Sequence, residues 1–276
     1  MSGSARTWRL VTAALVGILT VGILTVAVPA LPATGQVRVL GSGPASHQTG
    51  AAKAPPSIAA VLKALPNALR RDIAAVQARS ARLYHPRSIW VLVGKRKPLR
   101  PRSYIPPDLV RPGVPGGDGN LLRAAAASAV VEMFDDGETA GAGRMRIVSG
   151  YRSYATQVGV YGRRAASTST DFADQWIARP GYSEHQTGLS LDIGTVGGPC
   201  ATHTCLGSTP QGAWLRENSW RYGFILRYED GRTDVTGYRP EAWHFRFVGK
   251  ALAADYHAGE WHTWEDYLRA PAAPTY

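Results

Sequence analysis

Residues 183–192 read SEHQTGLSLD, and residues 241–247 read EAWHFRF. From Leu189 onward the first segment alternates apolar and polar side chains, which predicts a β-strand. The second segment predicts another strand from Trp243 to Phe247, because aromatic residues favour strands. Both segments carry histidine and carboxylate side chains in or beside the predicted strands. These two segments therefore bear on both the fold and the candidate chemistry of the chain.

Strands and helices are mixed along the rest of the chain. Further strands are predicted at 89–93, 146–150 and 224–228. Helices are predicted at 57–82, 121–134, 154–164 and 212–222. A last short helix begins at Thr263, which is followed by Asp266 in the manner of a capping box. Long connections join several strands, including a proline-rich extended segment at 98–115. This pattern indicates an α+β fold with a small antiparallel sheet flanked by helices.

The histidines of the two segments are candidate metal ligands. A hydrolytic zinc site needs three nitrogen or oxygen ligands and an open position for water. It also needs a carboxylate outside the ligand set, which takes a proton from that water. His185, Asp192 and His244 can supply the ligands, and Glu241 can supply the base. Gly188 lets the chain turn between the first two ligands. The expected zinc site lies in a cleft on the sheet.

Spacing alone leaves simpler explanations open for each of these side chains. His185 fits a polar loop, and Asp192 fits a turn or a helix cap. His244 fits a half-buried strand position between two aromatic residues. The choice between these alternatives depends on the longer strings in which the residues occur.

Those strings resemble the VanY-type zinc D,D-carboxypeptidases, which belong to a wider group of peptidoglycan peptidases. The family shows S-x-H-x-x-G-x-A-x-D and E-x-W-H, and the matching strings stand at 183–192 and 241–244. Residues 149–154 read SGYRSY, which is similar to the family's S-G-Y-R-S segment. Residues 222–228 and 236–238 look like its lead-in to the second metal motif.

The resemblance, which covers roughly residues 89–268, implies roles for individual residues. His185, Asp192 and His244 match the zinc ligands of the family. Glu241 matches its catalytic base. Arg152 matches the arginine that faces the substrate and its polarised carbonyl group.

The resemblance also extends to the substrate pocket, with some departures. Ser183 matches a residue beside the C-terminal end of the substrate, and Gln157 matches a wall of the pocket. Ser190, Ala242 and Pro240 stand where the family commonly has Ala, Pro and Tyr. The last two flank the predicted base, so these departures bear on rate and specificity more than on the reaction.

The N-terminus predicts export. Residues 1–9 are basic, and residues 10–30 form an uncharged, mostly apolar run of about the length that spans a bilayer. Residues 1–33 are therefore either a cleaved signal peptide or an uncleaved membrane anchor, with the rest of the chain outside the cell. Downstream we expect a flexible linker at 34–56, a helical stalk at 57–85, a catalytic domain at 86–270 and a tail at 271–276.

The net charge indicates which classes of partner are possible, and the cysteines indicate the redox compartment. The formal net charge is +11, which suits nucleic acid, an anionic membrane or an acidic wall polymer. Because the basic residues are scattered and the chain is expected to be exported, no nucleic-acid partner is expected. Cys200 and Cys205 are the two cysteines, and a small disulfide loop is expected outside the cell. A second metal site that includes His203, or free thiols in a reducing cytosol, are the alternatives.

The resemblance implies a zinc D,D-carboxypeptidase that removes the terminal D-Ala from peptidoglycan stem peptides. With the N-terminal segment, we expect this enzyme to be exported, and we expect it to be monomeric. One alternative keeps the scaffold and changes the bond, as an L,D-carboxypeptidase or an endopeptidase that cuts cross-links. Another is a zinc-bound wall-binding domain without activity. The presence of Glu241 argues against the inactive domain, since a binding module needs no base beside its metal.

Overall fold

The structure is a computed structural model, which describes residues 82–197, 200 and 203–276, the last range with only the backbone of His203. The predicted signal peptide or anchor and the predicted linker lie outside these residues. The predicted stalk also lies outside them, except for residues 82–85, of which 82–84 are helical. Within the described part, no helix is both long enough and apolar enough to cross a membrane.

The regular elements carry the following bounds. The strands are β1 (Leu109–Val110), β2 (Leu122–Arg123), β3 (Met145–Ser149), β4 (Ser190–Thr195), β5 (Phe224–Tyr228) and β6 (Glu241–Phe247). The helices are α1 (Ala124–Thr139), α2 (Tyr154–Ser167), α3 (Thr170–Asp174), α4 (Pro210–Asn218), α5 (Thr233–Thr236), α6 (Lys250–Ala258) and α7 (Trp264–Tyr267). Short 3₁₀ helices lie at Gly117–Gly119, Glu184–Thr187, His203–Ser208 and Ser219–Tyr222.

The main sheet has four strands in the order β3-β4-β6-β5, and every neighbouring pair is antiparallel. Strands β1 and β2 form a separate antiparallel pair. Helices flank the main sheet, so the predicted α+β fold with a small antiparallel sheet is confirmed. The register of the two central strands places Asp192 on β4 directly opposite His244 on β6.

Hydrophobic side chains cover both faces of the main sheet. On one face, Val130 of α1 packs in a cluster with Ile147 and Leu191, and all three are fully buried. Burial of each such side chain contributes about 1.5–3 kcal/mol to folding. Successive strand residues point to opposite faces, so Ile225 joins a second cluster that contains Trp264 of α7. Helices therefore pack against both faces of the sheet.

The predicted strand at 89–93 is wrong, although its apolar residues are buried as expected. Val91, Leu92 and Val93 are at most 4% exposed. The carbonyl groups of Ile89 and Val91 accept hydrogen bonds from the Arg246 guanidinium at 3.1 and 2.9 Å. A buried side chain therefore bonds the carbonyl groups of this segment where a neighbouring strand was expected.

Three predicted helices have shifted boundaries, and the one predicted at 154–164 continues to Ser167. The helix predicted at 121–134 begins at Ala124 and continues to Thr139, because its first residues pair as β2. The helix predicted at 212–222 is α4 followed by a 3₁₀ turn. The predicted cap of the last helix is present, since the Thr263 hydroxyl accepts a hydrogen bond from the Asp266 backbone N–H at 3.0 Å.

Candidate active site

A 3₁₀ helix and a left-handed glycine bring the first motif into the sheet. His185 lies on the 3₁₀ helix Glu184–Thr187, and Gly188 follows with a φ of +66°. A Cβ atom at Gly188 would lie 2.8 Å from Leu109 Cδ2. Both the backbone angle and this close approach require glycine. The chain then enters β4, which carries Asp192.

Three buried side chains meet where β4 and β6 pair. His185 Nε2 lies 3.3 Å from Asp192 Oδ2, and His244 Nδ1 lies 3.2 Å from Asp192 Oδ1. The candidate ligand atoms of the three residues all lie within 4.8 Å of one another. Each residue is at most 5% exposed. Asp192 and His244 are 52 positions apart in the sequence. They are neighbours in the fold because β4 and β6 pair in this register.

The ring nitrogens of the two histidines are arranged as in a metal centre. His185 Nδ1 lies 2.7 Å from the Gly150 carbonyl oxygen, so it donates there and leaves the Nε2 lone pair toward Asp192. Burial, together with the charge of Arg152, lowers the pKa of His185 to about 4, which keeps its imidazole in the neutral form that binds metals. Metal-bound histidines commonly donate their second N–H to such an acceptor.

The carboxylate of this cluster is also suited to a cation. Asp192 Oδ1 is buried and has no hydrogen bond within the described residues. Burial favours the neutral acid, but the neighbouring rings of His185 and His244 together outweigh it and hold the pKa of Asp192 well below its usual range. Two histidine rings and one ionised carboxylate form a ligand set that zinc accepts. The residues present therefore fit the predicted metal.

Glu241 lies at the first position of β6, beside this cluster. Its Oε2 atom is 3.4 Å from His244 Nδ1, and the residue is 8% exposed. Burial raises the pKa of Glu241 above its usual range, which makes this carboxylate a stronger proton acceptor than an exposed one. The side chain thus stands next to the candidate ligands as a separate carboxylate.

Arg152 follows β3 and lines a cleft. The three candidate ligands and Glu241 line the same cleft. Its Nη1 atom donates to Ser149 Oγ at 3.2 Å, whereas its Nε atom has no hydrogen-bond partner within the described residues. Burial lowers the pKa of Arg152, and the negative charges of Asp192 and Glu241 oppose that effect. The guanidinium therefore has a donor that no hydrogen bond within the described residues uses.

The two predicted substrate residues occupy different places. Ser183 is buried and lines the cleft. Gln157 is fully buried behind the wall, where its amide donates to the Ala178 carbonyl oxygen at 2.7 Å. Ala178 itself lines the cleft, so Gln157 supports the wall from behind.

The cleft also contains residues that motif reasoning missed. It has a volume of about 550 Å³, and Trp176 and Arg164 line it. Trp176 Nε1 and Arg164 Nε are buried and lack hydrogen-bond partners within the described residues. Arg164 lies seven positions after Gln157 on α2, which is a spacing that places both on one helix face. Trp176 gave no signal in the sequence, because it lies in a connection after α3.

Cys200 and Cys205 form a disulfide, so the expected pairing is confirmed and neither is a free thiol. The Thr195 N–H donates to the Cys200 carbonyl oxygen at 3.1 Å, which ties this loop to the end of β4. Thr204 of the loop lines the cleft. The disulfide loop therefore contributes to the rim of the cleft.

Comparisons with known proteins indicate the family of the chain. The family model described as VanY, D-alanyl-D-alanine carboxypeptidase, matches residues 119–250. YodJ of Bacillus subtilis (strain 168) is 38% identical over 176 residues, which are 62% of this chain and 64% of YodJ.

Several solved structures are similar to the chain, among them the following two. The LdcB LD-carboxypeptidase is 36% identical with a TM-score of 0.62, over 67% of this chain and 88% of that protein. A variant of the vancomycin resistance D,D-pentapeptidase VanY, in complex with Zn(II), is 28% identical with a TM-score of 0.55, over 64% of this chain and 97% of that protein.

The fold, the His-Asp-His cluster and these likenesses define a metallopeptidase of the carboxypeptidase type. Within that class, the chain belongs to the VanY family of D-alanyl-D-alanine carboxypeptidases. It spans 64% of the length of YodJ.

Proposed function

We propose that the chain is an exported, zinc-dependent D,D-carboxypeptidase that removes the terminal D-Ala from peptidoglycan stem peptides. One observation carries this proposal. The candidate ligands His185, Asp192 and His244 form a buried cluster, and a fourth residue, Glu241, stands 3.4 Å from His244. A ligand set with a separate carboxylate beside it is the arrangement that metal-assisted hydrolysis needs.

The proposed ligands of the zinc ion are His185 Nε2, His244 Nδ1 and the carboxylate of Asp192. When bound, zinc lowers the pKa of water toward about 7 and polarises a carbonyl group. Glu241 accepts the proton of the attacking water and later returns it to the leaving amine. Its burial supports this role, because a raised pKa brings a carboxylate closer to the pH at which it must exchange protons.

The proposed substrate contacts come from other residues in and behind the lining of the cleft. Arg152 donates hydrogen bonds to the polarised carbonyl oxygen or to the terminal carboxylate of the peptide. Ser183 borders that carboxylate, and Gln157 holds the wall behind it. The free donors of Trp176 and Arg164 supply further hydrogen bonds to carbonyl groups of the stem peptide.

The second candidate is an L,D-carboxypeptidase or an endopeptidase on the same scaffold. The likeness to the LdcB LD-carboxypeptidase favours it, since LdcB is 36% identical to this chain. The metal, the base and the arginine would keep their roles, and the shape of the cleft beyond them would decide which bond is cut.

The proposed location is outside the cytoplasmic membrane. The apolar run at 10–30 acts either as a cleaved signal or as an anchor, and the chain reaches wall peptides from there. The disulfide between Cys200 and Cys205 supports an oxidising compartment.

The test uses the full chain loaded with zinc and three substrates. The first is a pentapeptide that ends in D-Ala-D-Ala. The second is the tetrapeptide in which a single terminal D-Ala follows a residue linked through its L-configured carbon. The third is a cross-linked muropeptide dimer. Mass spectrometry should find that the pentapeptide loses one alanine while the other two stay intact. Loss of D-Ala from the tetrapeptide would identify the L,D-activity, and cleavage of the dimer would identify an endopeptidase.

A further inference from the structure

Glu184 is a buried carboxylate that the proposed reaction does not use. It lies between Ser183 and His185 at the start of the 3₁₀ helix. Its side chain is 0% exposed, although a glutamate in a polar turn is ordinarily in water. A buried carboxylate needs partners that replace water.

Four groups surround this carboxylate, and they divide between its two oxygens. Oε1 accepts from Arg227 Nε at 3.0 Å and from Arg246 Nη1 at 2.9 Å. Oε2 accepts from Ser190 Oγ at 3.2 Å and lies 3.4 Å from His244 Nε2. One oxygen is therefore held by two guanidinium groups, and the other faces a ring nitrogen of a candidate zinc ligand.

The two guanidinium groups are themselves fixed. Arg227 makes a two-pronged ion pair with Glu265, with N–O distances of 2.9 and 2.7 Å. Arg246 donates to the backbone carbonyl groups of the segment at 89–93. Neither arginine is more than 1% exposed. The position of Glu184 is thus set by side chains that cannot move independently of the core.

Such a network is a weak source of stability, because removal of charges from water costs about as much as their pairing returns. Its geometry at His244 gives it another use. His244 Nε2 has no hydrogen-bond partner within the described residues, and the Glu184 carboxylate is the acceptor beside it. The separation of 3.4 Å is longer than an ordinary hydrogen bond, so the attraction in this structure is mainly electrostatic.

We propose that Glu184 is a positioning residue that orients the His244 ring for zinc, an inference that rests on the proposed function. Its Oε2 atom favours the tautomer with the proton on Nε2, and this leaves the Nδ1 lone pair toward Asp192. The arginine pair holds the carboxylate in place for that contact. Glu184 acts through His244 and is not among the candidate ligands.

The first variant is Glu184→Gln. The two guanidinium groups only donate, so they take the amide oxygen of the new side chain and leave its NH₂ group toward His244. That group requires an acceptor at Nε2 and therefore favours the wrong tautomer. We expect zinc affinity to fall by about 10- to 100-fold, as for other residues that orient metal ligands. The measurement is competition with a chelator, and the absorption spectrum of the Co(II)-substituted protein should change as well.

The matched control is Glu265→Gln. It makes the same change in the same buried network, on the other side of Arg227, and does not contact His244. We expect it to lower the melting temperature and to keep the zinc affinity and the Co(II) spectrum of the wild type. Equal losses of zinc affinity in both variants would overturn the proposal, because the effect would then come from the rigidity of the network.

Glu184→Asp decides the matter if Glu184→Gln does not fold. Aspartate keeps the charge between the arginines and is one methylene too short to reach both them and His244. Weaker zinc binding with a normal fold supports the positioning role, and wild-type zinc affinity with an unchanged Co(II) spectrum refutes it. A wild-type chain that binds no zinc would contradict the proposed function itself, and this inference with it.

Discussion

The substitution Arg152→Lys separates substrate binding from folding at this site. In the structure, Arg152 lines the cleft, donates from Nη1 to Ser149, and has no hydrogen-bond partner for Nε within the described residues. A guanidinium can hold a carboxylate or an oxyanion with two parallel hydrogen bonds, whereas an ammonium group acts as a single compact charge. Lysine at this position therefore keeps the charge and loses the two-pronged contact.

The size of the effect follows from the number of bonds lost. One hydrogen bond to a charged group is worth about 1.5–3 kcal/mol. At room temperature this corresponds to a decrease of about 10- to 150-fold in kcat/KM for a peptide with a free C-terminus. Zinc content and melting temperature should stay at wild-type values, since Arg152 is not among the candidate ligands.

The assay measures kcat/KM with a pentapeptide that ends in D-Ala-D-Ala, together with bound zinc and thermal unfolding. Arg163→Lys is the matched control. Arg163 lies on α2, the helix that begins two residues after Arg152, and its side chain is exposed. That control should keep wild-type activity. If Arg152→Lys works as well as wild type, or unfolds while Arg163→Lys does not, Arg152 is a structural residue and the reasoning is wrong.

Three further variants test the remaining parts of the site. His244→Ala should bind much less zinc by metal analysis, because one of three ligands is gone, and unchanged zinc would remove it from the ligand set. Glu241→Gln should keep zinc and fold but lose about 10²–10⁴-fold in kcat, as expected for loss of a general base; near-normal turnover would place the base elsewhere. Replacement of both Cys200 and Cys205 by serine should lower the free energy of unfolding by about 2 kcal/mol, since the loop is short. Zinc affinity should not change in that variant, and a large loss of zinc would mean that the loop supports the metal site.

The strands of the main sheet were predictable because alternation and aromatic content mark them directly. The segment at 89–93 shows the limit of that reasoning. Its apolar residues are buried, but a strand also needs a neighbour for its backbone, and the Arg246 side chain takes two of its carbonyl groups. No local pattern reports a hydrogen bond from a residue that is more than 150 positions away.

The candidate metal cluster was predictable as a set of residues, and its geometry was not. The motifs name His185, Asp192 and His244, but the register that places Asp192 opposite His244 is a property of the folded sheet. The role of Gly188 was also predictable. The sequence places this glycine in the turn between the first two candidate ligands, and the structure gives it a left-handed backbone angle.

The buried charge network was hidden for a physical reason. Glu184 reads as an ordinary polar turn residue, and only the fold reveals that it is enclosed. A signal was present in its partners, since Arg227 and Arg246 interrupt apolar strands at positions that pack inside the protein. A charge within a buried strand requires a partner of opposite charge, although the sequence does not say which one.

The most direct test of the account follows D-Ala release while zinc is titrated into the metal-free chain. With the pentapeptide as substrate, the account predicts no release without metal. Release should then rise in proportion to added zinc and become constant at one zinc ion per chain. Release of D-Ala by the metal-free protein, or no release by the zinc-loaded protein, would contradict the claim that this chain is a zinc-dependent carboxypeptidase.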